Sequence, residues 1–298
     1  MAPNGFRRFA SDGRLITVAL FLPPALLLFT FFVTLPLFDA AGYAGYNWSG
    51  YGEPEQWVGT RNFEQMAGHS VFQQSLWNTL KVIGVSLFIQ IPLAMTLALL
   101  IASKTWSNTV FRLIFFMPFI MAEIATGLMW SFFFDGDYGV TAMLGRVFSM
   151  DPIYPLSDRT WAMPVILFVI VWKYFGFHMM IFIAALQSIP EDLTEAAQID
   201  GATPFQIARR IKIPLLKPAI AVSIFFSIIG SLQLFDLIVP MTGGGPSNST
   251  HTIVTYLYTF GIVRLKVGFG SAVGIVLFVM CVAFAFLYQR TVMRPEAE

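Results

Sequence analysis

Residues 188–214 read SIPEDLTEAAQIDGATPFQIARRIKIP, and they lie between two long apolar runs. Two helix-start signatures fall within this one connection. Ser188-Ile189-Pro190-Glu191 has the form of a capping box with proline in the first turn. Leu193, Ala196 and Ala197 follow as an apolar stripe at i, i+3 and i+4, and Gly201 supplies a left-handed stop. Thr203-Pro204-Phe205-Gln206 is a second capping box. Phe205, Ala208 and Ile211 form its stripe, and Pro214 is expected to end it. The pattern predicts a rigid helix–turn–helix elbow. Docking into a groove on another protein and lying flat on a membrane both fit this periodicity.

The flanking sequence sets the elbow in a membrane. Of 298 residues, 56% are hydrophobic and 12% charged, whereas soluble domains carry about 25% charged residues. So few charges cannot coat a soluble globule, and the excess apolar surface requires lipid. A bilayer core about 30 Å thick needs about 20 apolar residues per helix. Six stretches qualify: about 15–38, 76–102, 111–134, 161–186, 218–240 and 269–289. The expected fold is all-α and integral to the membrane, one transmembrane domain over 1–298, with the elbow in a loop at about 187–217. Eleven basic residues fall on the side of the N-terminus and the elbow (Arg7, Arg8, Arg14, Lys104, Arg112, Arg209, Arg210, Lys212, Lys217, Arg290 and Arg294). Five fall on the other (Arg61, Arg146, Arg159, Arg264 and Lys266). The excess predicts both termini and the elbow in the cytoplasm. The 39–75 loop, with Tyr43, Tyr46, Trp48, Tyr51 and Trp57, then faces outward.

Other functions find no support. The net charge of +1 implies no nucleic-acid partner. There is no phosphate-binding G-x-x-x-x-G-K-[ST] pattern. His69, His178 and His251 have no metal-ligand spacing, and no catalytic constellation is present. The lone Cys281 cannot form an internal disulfide.

Glu195-Ala196-Ala197-Gln198-Ile199-Asp200-Gly201-Ala202, followed by Ile211-Lys212-Ile213-Pro214, resembles the EAA loop of ATP-binding-cassette (ABC) importer permeases. Thr242-Gly243-Gly244-Gly245-Pro246 after the fifth span resembles the Gly-rich loop of the carbohydrate-importer permeases related to the larger maltose permease subunit. The resemblance implies a type I ABC importer permease in a bacterial inner membrane. It implies a second, homologous permease as heterodimer partner, two ATPase subunits and an external solute-binding protein. This chain would bind no cofactor; ATP and Mg would sit on the ATPases. Glu195, Ala196, Ala197, Asp200, Gly201, Ala202, Phe205 and Pro214 would then couple ATP hydrolysis to transport.

Polar and ionisable residues within spans are costly and default to functional candidates. Glu123 is expected mid-span three, with Phe119 one turn before it. Lys173 lies mid-span four beside Tyr174, one turn before Phe177. Ser227 and Ser231 share a face of span five, with Gln233 and Asp236 further out. By position relative to the EAA-like loop, the resemblance makes Phe119, Glu123, Tyr174, Phe177, Ser227 and Ser231 sugar contacts. Aromatic faces would cover sugar C–H surface and polar groups would meet hydroxyls. Glu123 and Lys173 either form a buried pair or meet solute; unpaired and ionised, Glu123 would repel an anion. The alternative is a proton-coupled secondary transporter with Glu123, Lys173 and Asp236 as a relay, which leaves the capped elbow without a purpose.

Overall fold

The structure, a computed structural model, describes residues 14–149 and 151–292. Arg7, Arg8 and Arg294 of the loop-charge comparison lie outside those residues. In chain order the helices are α1 (Thr17–Tyr43), α2 (Arg61–Gly68), α3 (Ser70–Ile101), α4 (Trp106–Ile120) and α5 (Glu123–Phe133). Next come α6 (Val140–Phe148), α7 (Ala162–Gln187), α8 (Glu191–Ile199), α9 (Pro204–Leu215) and α10 (Lys217–Leu232). The last three are α11 (Ile238–Thr242), α12 (Ile253–Val263) and α13 (Val267–Thr291).

Four of these, α1, α3, α7 and α13, are long and apolar enough to cross a bilayer. The count reaches six when two bent pairs are each taken as one span: α4 with α5, turned by 95°, and α9 with α10, turned by 66°. The expected third span is therefore not one helix. It breaks at Met121-Ala122, just after Pro118, and Glu123 opens the second half rather than sitting mid-helix. The expected fifth span ends at Leu232, eight residues short, and leaves Gln233 and Asp236 in a turn before α11. The first span runs on to Tyr43 and the second begins at Ser70. The short α12 was not expected at all.

Prolines shape the long helices through wide turns. Thr30–Thr34, Ser86–Gln90 and Ala208–Lys212 are π-helical, and each precedes a proline by two residues: Pro36, Pro92 and Pro214. A helical proline lacks the N–H and its ring collides with the carbonyl four residues back. That carbonyl belongs to Phe32, Phe88 or Arg210, the middle residue of each wide turn. The residue before each proline donates five back instead: Leu35 to Thr30, Ile91 to Ser86 and Ile213 to Ala208. Pro214 thus does not end its helix, which continues to Leu215.

The centre of the bundle is α7, which packs on α3, α4 and α10. Between lipid-embedded helices close packing takes over from the hydrophobic effect, so small residues mark the contacts. Gly176 is among the tightest: a Cβ there would strike the Phe115 carbonyl oxygen and lie 3.0 Å from the Phe116 Cα. α1 differs from the rest. Its side chains are almost wholly exposed, and it touches the bundle mainly through its last turns against α13.

The Gly-rich loop is built into the bundle. Asn78 on α3 donates to the carbonyls of Ser249 and His251 at 2.7 and 3.0 Å. Thr252 donates to the Leu234 carbonyl at 2.7 Å, tying the loop to the end of α10. Burial, with a smaller contribution from Arg264, pushes the His251 imidazole down to about 4. The uncharged ring lies against Gly244, where a Cβ would collide with it.

Candidate functional site

Two regions collect the residues singled out from sequence. The first is an open-sided cavity of about 320 Å³ lined by α3, α4, α5, α7, α10 and the turn that follows α10. Phe119, Glu123, Tyr174, Phe177, Ser227, Ser231 and Gln233 all line it. The broken third span explains part of this convergence: α4 presents Phe119 from its last turn, and the 95° corner lets α5 present Glu123 from its first residue. Phe119 and Phe177 stack with ring centroids 4.8 Å apart and planes 22° apart. The Tyr174 hydroxyl donates to Glu123 Oε1 at 2.6 Å. Ser231 donates to the Ser227 backbone carbonyl one turn back, at 2.7 Å.

Lys173 stands behind this wall. It is 1% exposed, and its ammonium donates to the Met121 carbonyl at 2.7 Å and, at 3.4 Å, to the Pro118 carbonyl and Thr126 Oγ1. These carbonyls are freed where α4 ends. Lys173 therefore caps the broken helix, and no ion pair joins it to Glu123 among the described residues. Asp236 is exposed and does not line the cavity. A relay through Glu123, Lys173 and Asp236 has no continuous path, since each of the first two is bonded elsewhere.

His178 stands with Lys173 and Tyr174 among the polar residues of the fourth span, whereas Ser86 and Gln90 were not identified from sequence; all three line the cavity. Gln90 and His178 are 2% and 3% exposed, yet Gln90 Oε1 and His178 Nδ1 have no hydrogen-bond partner, nor does Ser227 Oγ. Ser86 and Gln90 are polar residues one turn apart within an apolar run, which was the available signal.

The second region is the elbow. The second capping box forms as expected: Gln206 N–H donates to Thr203 Oγ1 and Thr203 N–H to Gln206 Oε1. The first does not. Ser188 donates to the Ala185 carbonyl at the end of α7, and Pro190 precedes α8 without a side-chain cap. The turn between α8 and α9 has Gly201 at φ +80°, with the Ala202 N–H returning to the Ala197 carbonyl at 2.9 Å. The apolar stripe of α9 differs from expectation: Ile207 is buried, while Phe205 is 72% exposed. Ile199, at the end of α8, is 86% exposed. Glu195, Ala196 and Asp200 are also exposed, and Ala197 and Ala202 are half-buried.

A bundle of spans around a largely apolar, aromatic cavity that carries a few polar side chains, with a stiff elbow at one end, defines a translocation subunit. The chain belongs to the family of binding-protein-dependent transport system inner membrane components, whose sequence model matches residues 90–294. It is the permease subunit of an ABC importer, a multi-pass inner-membrane protein, and ATP hydrolysis belongs to separate subunits. The chain is 31% identical over 290 residues to the sulfoquinovosyl glycerol transport system permease protein of Agrobacterium fabrum, covering 96% of this chain and 93% of the relative. It is 30% identical over 309 residues to the diacetylchitobiose uptake system permease protein of Streptomyces coelicolor, covering 98% and 87%. Its fold matches a chain in the crystal structure of a bacterial ABC transporter involved in the import of the acidic polysaccharide alginate. The TM-score is 0.82 at 24% identity, over 99% of this chain and 100% of that one. The expected family and all-helical permease fold are thus borne out.

Proposed function

We propose that this permease moves a sugar or sugar-like solute inward through the cavity by alternating access, driven through the 188–214 elbow. One observation carries the reading. The elbow continues through a single 66° bend into α10, and α10 bears Ser227 and Ser231 on the cavity wall. A push on the elbow therefore reaches the cavity through one short lever. Ile199 and Phe205, exposed on either side of the Gly201 turn, give an ATPase cleft two apolar anchors. The stacked Phe119 and Phe177 rings beside hydrogen-bonding side chains suit a sugar's mixed surface. Relatives named for sulfoquinovosyl glycerol and diacetylchitobiose support that solute class.

In this reading the whole chain is one permease domain. The loop charges put the elbow and both termini in the cytoplasm. A homologous permease completes the pathway, two ATPases hold ATP and Mg, and an outside binding protein delivers solute. Glu195 and Asp200 orient the elbow, and Gly201 permits its turn.

The test is Gly201→Val. A β-branched residue at φ +80° carries strain of about 1–3 kcal/mol, which the turn relieves by changing shape. Binding-protein-stimulated ATP hydrolysis in the assembled complex is expected to fall about tenfold or more, with basal hydrolysis retained. Cysteines at 199 and 205 should crosslink to the ATPase. Wild-type stimulation in Gly201→Val, or no crosslink from either position, would remove the elbow from coupling.

A further inference from the structure

We propose that a basic pocket at the end of the bundle opposite the elbow receives a carboxylate side chain of the docking solute-binding protein. The proposal rests on the importer reading and adds the chemistry of its outer contact. The pocket, about 180 Å³, lies between the loop after α1, α2 and the start of α13. Arg61 and Lys266 line it together with the amides of Asn47, Gln56 and Gln65 and the Trp48 ring, and no Asp or Glu does. Its frame is built before any partner arrives. Asn47 pairs with Gln56 through backbone and side chain, at 2.9 and 2.7 Å. Buried Asn62 holds the carbonyls of Ala44 and Tyr46 at 2.8 and 2.9 Å, and the Gly268 N–H donates to the Trp48 carbonyl at 3.1 Å. A preformed frame spares a partner the cost of ordering this loop.

The cations in this frame are uncompensated. Among the described residues, neither the Arg61 nor the Lys266 side chain makes a hydrogen bond or ion pair. The nearby Glu64 carboxylate accepts instead from Thr60 Oγ1 at 2.8 Å. Arg264 adds a third charge, stacked 4.0 Å over the Phe260 ring. Burial, then Arg264 and Lys266, hold the His69 imidazole below its ordinary range, so both cations lie within electrostatic reach of one ring. Three of the five basic residues on this side thus gather at one place. Outer loops are poor in Lys and Arg, and gathered like charges repel. A carboxylate seated among them removes that repulsion and meets the wall amides as an acceptor. A protein carboxylate fits better than a lipid phosphate. Asn47, Gln56 and Gln65 all fall between Tyr43 and Ser70, outside the spans. Tyr51 and Trp57 on the same loop are 74% and 65% exposed, and Tyr, Trp and Arg are the side chains that anchor protein interfaces.

The test follows ATP hydrolysis by the assembled complex in phosphatidylcholine nanodiscs as the binding protein of the coupling test is titrated in. Arg61→Gln/Lys266→Gln should raise the half-saturating concentration of binding protein at least about threefold. Arg61→Glu/Lys266→Glu should raise it at least about tenfold, because like charges then meet. Basal hydrolysis and the maximal stimulated rate should match wild type, since neither residue lines the cavity or belongs to the elbow. Arg61→Lys/Lys266→Arg keeps both charges and should stay within about twofold of wild type. Added salt should weaken docking of wild type more steeply than that of the Gln pair. An unchanged half-saturation in the Glu pair overturns the proposal. So does a fall in maximal rate alone, which would place these residues in coupling. A defect present in phosphatidylglycerol nanodiscs and absent in phosphatidylcholine assigns the pocket to a lipid phosphate and overturns it as well. A wild-type complex that the binding protein does not stimulate removes the importer reading, and this proposal with it.

Discussion

Lys173→Met should destabilise the purified permease complex by about 2–4 kcal/mol and abolish uptake, because it strands two carbonyls at the corner of the third span. Methionine replaces the unbranched stem of lysine but lacks the ammonium and has no donors. The Met121 and Pro118 carbonyls, now served by the ammonium at 2.7 and 3.4 Å, would face an apolar interior, and each unsatisfied buried group costs about 1–3 kcal/mol. The corner would relax toward a straighter helix, carrying Glu123 and Phe119 out of register with Tyr174 and Phe177. Thermal unfolding of the complex measures the first effect and solute uptake the second. Lys173→Arg retains donors and should lose less. The double variant Lys173→Met/Glu123→Gln should be no more stable than Lys173→Met. Recovery in the double variant would instead reveal a buried ion pair, and an unchanged unfolding midpoint in Lys173→Met would show that the ammonium does not hold the corner.

Gly176→Val should prevent the protein from accumulating in the membrane. At this crossing of α7 and α4 a Cβ would meet the Phe115 carbonyl and lie 2.9 Å from the Phe115 carbonyl carbon. These are backbone atoms, which cannot rotate aside, so the helices themselves must part. Phe119 lies one turn along α4 from that contact and would move with it, opening the stack on Phe177. Gly176→Ala gives the graded case. Alanine brings the same Cβ against the same backbone atoms; its gain of up to about 1 kcal/mol in helix propensity is outweighed by overpacking of about 1–3 kcal/mol or more, so a clear net loss is expected, smaller than that of valine. Membrane abundance and co-purification with the ATPase report both variants. An alanine variant at or above wild-type stability would mean the helices do not approach this closely.

Much of this architecture was legible in the sequence, and what was not has a physical cause. Hydropathy located the crossings because it sums transfer free energies over about 20 residues. The same averaging hides breaks. Pro118 was visible, but nothing local says that a lysine 55 positions later will hold the freed carbonyl. Leu234, Leu237 and Ile238 prolong the apolar run after α10 has ended, because Thr252 holds the Leu234 carbonyl from a distant loop. At the elbow, Thr203 formed its predicted box, whereas Ser188 was drawn to the end of α7. Lining polar groups on the third, fourth and fifth spans were identifiable by their cost in lipid. Ser86 and Gln90 carried the same signal on α3, and only the three-dimensional arrangement brings them to the same cavity.

The wide turn at Ser86–Gln90 ties the length of α3 to Pro92. It winds one extra residue into the helix, so Asn78, which anchors the Gly-rich loop from one side, and Ala94 and Ala98, which pack in the core on the other, keep the facing they would have in an ordinary helix one residue shorter. In-frame loss of a single codon there would let an ordinary turn close, but would set the Pro92 ring against the carbonyl four residues back. Exchanging Pro92 for a residue with an amide hydrogen should therefore soften that loss.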